Sequence, residues 1–168
     1  MLNSDDWKLA VEDARFRHNA LVSLIIASDN QALALMRLFL TVATATGAGF
    51  ASVIVPHTLI QTPLAWSLAT ATLAMVYSAW QCFRVISPRI INLPGRGADF
   101  WLWAADATGT REEVFRQYLK VLAEKHEINK SVNESQASAL RWAKLGGILS
   151  PVVALVVGGL AAVMPNLL

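Results

Sequence analysis

No Asp, Glu, Lys or Arg occurs between Leu38 and Phe83, and none between Leu145 and Leu168. Only 15% of the residues are charged, where about 25% is usual in soluble domains. A soluble enzyme domain and a disordered chain are poor fits to such a composition. Cysteine is nearly absent as well. The single Cys82, set among Trp80, Gln81 and Phe83, excludes an intramolecular disulfide and any cysteine-based metal spacing, and reads as a small apolar filler. Glycine and proline are missing from Asp5 to Ala45 and again from Arg111 to Lys144. Two long uninterrupted helices are therefore expected. Met1 to Asp6 lacks the basic n-region of a secretory signal, so insertion into a membrane is expected to be directed by an internal helix.

What is present fits that pattern. Hydrophobic residues make up 55% of the 168-residue chain and the mean hydropathy is +0.44. All 26 charges fall in two stretches, Met1 to Arg37 and Arg84 to Lys144. An apolar helix needs about 20 residues to cross the hydrocarbon core. Three segments approach that length: Leu38 to Val55, Leu64 to Phe83, and Leu145 to Met164, the last with Pro151 near its start, where a kink or a capped restart is expected. The prolines of the Pro56 to Pro63 link would turn the first two into an antiparallel hairpin. The expected fold is thus an all-α membrane protein with three transmembrane helices and a long-helix cytoplasmic module. Its divisions are an N-terminal amphipathic helix (1–37), a hairpin (38–83), a region with an interfacial segment and a long helix (84–144), and a third span (145–168). The length suits a single compact unit.

Orientation follows from the basic residues. The Pro56 to Pro63 link has none, whereas Arg84 to Lys144 has ten. The N-terminus and the 84–144 region are expected on the cytoplasmic side of an inner (cytoplasmic) membrane, with the C-terminus outside and Arg37 snorkelling to the headgroups. The net charge of +3 in 84–144 is too small to argue for nucleic acid, and the lipid bilayer with anionic headgroups is the partner expected.

The polar parts carry helical seams. Trp7, Val11, Ala14, His18, Leu21, Ile25 and Ser28 alternate at spacings of four and three. In the second long helix the seam is apolar at Phe115, Leu119 and Leu122, polar at His126, Asn129, Asn133 and Gln136, and apolar again at Leu140. Thr110 and Glu113 form a capping box that starts this helix. His18 and His126 each lie about 20 residues from the expected membrane edge and could face each other as a ligand- or proton-sensing pair. A polar row that only sets helix register is the plainer alternative. Arg89 and Arg96, near Phe100, Trp101 and Trp103, could clamp a phosphate while an indole stacks a base. Arg and Trp beside a span are equally the ordinary interfacial anchor.

Small residues recur every four positions at Ala43, Gly47 and Ala51 and at Ala154, Gly158 and Ala162, stripes that suit close helix packing within one chain or in a homo-oligomer. No catalytic constellation occurs: there is no nucleophile elbow, no HExxH, and no histidine base placed for Cys82. Two histidines alone do not make a metal site, no cofactor is implied, and a non-enzymatic role is expected.

In layout the chain resembles the small membrane effectors of bacterial anti-phage signalling, in particular the Pycsar effectors. The likeness rests on His18-Asn19 in the N-terminal helix, Asp29-Asn30-Gln31-Ala32 before the first span, Pro88-Arg89 after the second, and the helix Glu124 to Lys144 leading into the third. Members often carry Lys where Gln31 stands. The resemblance implies a protein that binds a cyclic pyrimidine mononucleotide in its cytoplasmic part, multimerises and impairs inner-membrane integrity. It would make His18, His126, Asn129 and Asn133 a sensing seam and Arg89 and Arg96 phosphate contacts. A small membrane scaffold, or a subunit of a larger transporter or channel complex, is the alternative that composition leaves open.

Overall fold

The computed structural model describes residues 4–55, 62–106 and 110–163. These form four helices in the order α1 (Ser4–Ile54), α2 (Pro63–Ile86), α3 (Ala98–Asp106) and α4 (Arg111–Val163), with no strand among the described residues. The protein is all-α, and α1 and α4 are long and apolar enough to span a membrane. The expected second span is the helix α2, whose most apolar 18-residue stretch falls short of those in α1 and α4, because Trp66, Ser67, Thr70, Thr72, Tyr77, Ser78 and Gln81 are interspersed among its aliphatic residues. The 56–61 part of the hairpin link, with His57, and the C-terminal residues 164–168 lie outside the described residues.

Local chemistry sets the helix ends. The Thr110 amide donates to Glu113 Oε2 at 2.7 Å and the Glu113 amide donates back to Thr110 Oγ1 at 3.4 Å, the reciprocal arrangement that the capping box calls for. Thr62 caps α2 by accepting from the Ala65 amide at 3.3 Å, with Pro63 in the first turn where its missing N–H costs nothing. Pro151 does not restart α4, which is helical on both sides of it.

Contacts within the chain fall in two units rather than one. The first comprises Met1–Ala27 and Pro88–Ser135, the second Ser28–Ser87 and Gln136–Leu168. Each unit therefore takes one part of α1 and one part of α4. The ten residues before Leu38 and the nine before Leu145, charged though they partly are, belong with the apolar unit.

In the second unit α1, α2 and α4 enclose a core of Ala32, Phe39 and Ala43, of Met75, Ala79, Cys82 and Val85, and of Ala139, Leu140 and Ala143. Small residues make this packing possible. A Cβ on Gly147 would run into the Phe39 ring, one on Gly146 into Ser78, and one on Gly158 into Ser67. Of the two stripes, Ala43, Ala154 and Gly158 are buried within the chain, and a Cβ on Gly47 would touch Thr72 at 3.6 Å, so both stripes serve intrachain packing. Ala51 and Ala162 stay exposed. Polar groups that α2 turns inward find partners: Thr72 Oγ1 donates to Thr46 Oγ1 at 2.9 Å and Ser78 Oγ to the Ala74 carbonyl at 2.9 Å. Gln136 is buried and its Nε2 donates to Asp29 Oδ1 at 2.7 Å and to the Val85 carbonyl at 3.3 Å, so it satisfies one of the last carbonyls of α2.

Candidate functional site

The first unit is built around segment 88–97, which links α2 to α3 without regular structure. Pro88, Pro94, Gly95 and Gly97 keep it from continuing α2, and Gly95 takes φ +106°, a value that side-chain-bearing residues rarely adopt. A backbone run without secondary structure must have its N–H and C=O groups satisfied some other way. Here α1 and α4 provide the partners. The Asn129 side-chain amide pairs with the Asn92 backbone on both edges, accepting from its N–H at 3.0 Å and donating to its carbonyl at 2.8 Å. Lys125 Nζ, one turn earlier on α4, reaches the carbonyls of Gly95 at 3.3 Å and Leu93 at 3.5 Å. Arg89 donates in turn to the Val132 carbonyl at 3.4 Å.

His18 completes the arrangement from α1. It is fully buried, with Nε2 at 2.7 Å from the Asn92 carbonyl. A carbonyl only accepts, so Nε2 carries the proton, and the 3.3 Å approach of Asn129 Nδ2 to the same nitrogen is donor against donor and not a hydrogen bond. The Asn92 carbonyl thus receives two donors, His18 Nε2 and Asn129 Nδ2. His18 Nδ1 is buried without a hydrogen-bond partner among the described residues. The His126 ring lies beside it, the two centroids 6.0 Å apart at an interplanar angle of 52°.

The structure therefore brings His18, His126 and Asn129 together, and the reason is local. His18 and Asn129 hold a backbone segment. Asn133 is half-buried one turn beyond and takes no part in this arrangement. Arg96 lies over the Phe100 ring, its guanidinium carbon 4.6 Å from the centroid, and Phe100 packs edge-on against buried Tyr118 at 6.0 Å. Arg89 thus donates within the unit, while the Arg96 Nε is buried without a hydrogen-bond partner among the described residues. Trp101 and Trp103 stay exposed on α3, which buries none of its residues.

Next to His126 the same unit contains a cavity of about 550 Å³. Ala14, Leu119, Leu122 and Ala123 form its apolar wall, and Arg17, His126, Glu127 and Lys130 its polar rim. Its volume falls in the usual range of small-ligand pockets, about 300–1,000 Å³. Lys130 lies 3.8 Å from Glu127, while Arg17 has no carboxylate partner among the described residues. Of the six residues expected to bind a ligand, His126 lines this cavity; Arg17 and Lys130 carry its charge instead. Each stands one position from a seam residue, Arg17 beside His18 and Lys130 beside Asn129, so a cation on the margin of a polar seam was the signal available in sequence. Among the described residues no group of three or more His, Cys, Asp or Glu side chains could hold a metal ion. No protein-family model, curated protein or solved structure matches this chain.

Proposed function

We propose that this protein is a multi-pass membrane effector whose first unit takes up a small anionic ligand and whose second unit responds in the bilayer. The cavity beside His126 carries this reading. Its apolar wall suits a flat ring, and Arg17 and Lys130 with the His126 imidazole suit a phosphate group, a pairing found in a cyclic nucleotide. α1 and α4 run unbroken from one unit into the other, which offers a route for a change of packing at the cavity to reach the apolar core. In the fuller reading α2 crosses the bilayer as a third span, with the N-terminus on the cytoplasmic side, and copies of the chain associate when ligand is bound. The likeness of layout to Pycsar effectors favours an anti-phage role in which the membrane then loses its integrity.

The test uses the full chain purified in detergent and reconstituted into dye-loaded vesicles. Cyclic pyrimidine mononucleotides should bind, release dye, and do neither in an Arg17→Ala, Lys130→Ala variant. His126→Ala should weaken binding with the helix content intact, and it is a cleaner probe than His18→Ala, which removes a support of segment 88–97. Absence of binding across cyclic mono- and oligonucleotides would sink the ligand reading. Tight binding of a protein partner without leakage would point to a scaffold.

A further inference from the structure

The second unit carries a groove of mixed character that neither the core packing nor the ligand cavity uses. It consists of two hollows of about 430 and 420 Å³ that share Lys144 and Ile148. The first has Ser28 and Gln31 of α1 and Arg141 and Lys144 of α4 as its polar, basic rim and is otherwise lined by Ala137, Leu140, Leu145 and Ile148. The second is almost wholly apolar, lined by Leu35, Leu38, Phe39 and Val42 of α1 with Met75 of α2 and Gly147 of α4. The Phe39 ring packs directly on Gly147, where a Cβ would collide with it, so ring and glycine together form one wall of this hollow. On α4 the groove therefore passes from Arg141 and Lys144 into the uncharged stretch that begins at Leu145, and on α1 from Ser28 and Gln31 into the uncharged stretch that begins at Leu38.

The basic end is uncompensated. Among the described residues neither Arg141 nor Lys144 has a carboxylate partner, and Lys144 Nζ meets only the neutral Gln31 amide oxygen, at 3.3 Å. A molecule that complements this groove has an anionic head directly joined to an apolar chain. We propose that it seats one anionic phospholipid, its phosphate between Arg141 and Lys144 with Gln31 as a further contact, and an acyl chain lying along Leu35, Leu38, Val42 and Ile148. A free phosphate would leave the apolar half empty, and a zwitterionic lipid would bring its own cation against two others. This site rests on the membrane reading of α1 and α4 and is independent of any ligand in the first unit.

The experiment is native mass spectrometry of the full chain released from detergent after incubation with phosphatidylglycerol or phosphatidylcholine of identical acyl chains. Phosphatidylglycerol should be retained about tenfold better, on the scale expected of two cations at a headgroup. An Arg141→Gln, Lys144→Gln variant should lose that preference, and Ile148→Trp, a substitution at an exposed position that fills the groove, should reduce retention of both lipids at unchanged helix content. Millimolar inorganic phosphate should not displace the lipid. Equal retention of the two lipids, an unchanged preference in the double variant, or displacement by inorganic phosphate would each overturn the site. Alkaline carbonate extraction of cells separates the two levels: a chain stripped from the membrane takes the membrane reading down with the groove, whereas a chain that stays embedded without lipid preference refutes the groove alone.

Discussion

The two units of this chain are built from parts of the same two helices and are held by different physics. In the second unit the helices close on one another through residues too small to keep them apart: Gly146, Gly147 and Gly158 each occupy a place where a Cβ would strike a neighbour. In the first, the helices are bridged by a segment with no secondary structure, and Asn129, Lys125 and His18 supply the hydrogen bonds that such a segment cannot make for itself. Close packing tolerates no added volume, whereas a polar bridge tolerates no lost partner. The same substitution strategy should therefore fail differently in the two units.

The largest effect is expected where volume is added to the second. Gly147→Val should destabilise the chain by about 3 kcal/mol, because the Phe39 ring has to leave its place. Thermal unfolding in detergent measures the loss, and hydrogen exchange should rise in peptides of the second unit while segment 88–97 stays protected as before. The converse experiment removes a partner from the first. Asn129→Leu deprives the Asn92 N–H of its acceptor and its carbonyl of one of two donors, a cost of about 2 kcal/mol. Exchange should then quicken in 88–97 and leave the second unit unchanged. If both variants loosen both units equally, the distinction drawn between them is wrong. Thr110→Ala removes the hydroxyl of the capping box and should cost about 1 kcal/mol, confined to the start of α4. Smallest of all, Arg116→Ala breaks an exposed ion pair with Glu112 at 3.1 Å and should shift stability by only about 0.3 kcal/mol, a loss that salt would mask.

Legibility in the sequence followed the range of the interaction. The capping box spans four residues and was readable as written. The seam of α1 was readable because burial repeats with the helix: His18, Leu21 and Ile25 are all buried, as are Leu122, Asn129, Gln136 and Leu140 on α4. That His18 and His126 meet follows from two seams facing one another. The partner of Asn129 was not readable, since it is the backbone of a residue 37 positions earlier in a segment that has no period. Helical spacing says that an inward Asn needs a partner, and nothing in it says which. For the same reason the neighbours of Arg89 and Arg96 were not readable: the Val132 carbonyl and the Phe100 ring come beside them only once segment 88–97 is laid down. The Ser, Thr and Gln residues scattered through α2 were visible in the sequence, but the inward placement of Ser78 and Gln81 became clear only with both buried.

Cys82 lies wholly buried in the core of the second unit and is the only thiol in the chain. The protein thus comes with an internal clock for its own opening: a maleimide added to the folded chain should react only as fast as α1, α2 and α4 part around that sulfur. Any cysteine introduced on the surface would be labelled against a silent background, so fluorophores can be placed on either unit without first engineering the native thiol away.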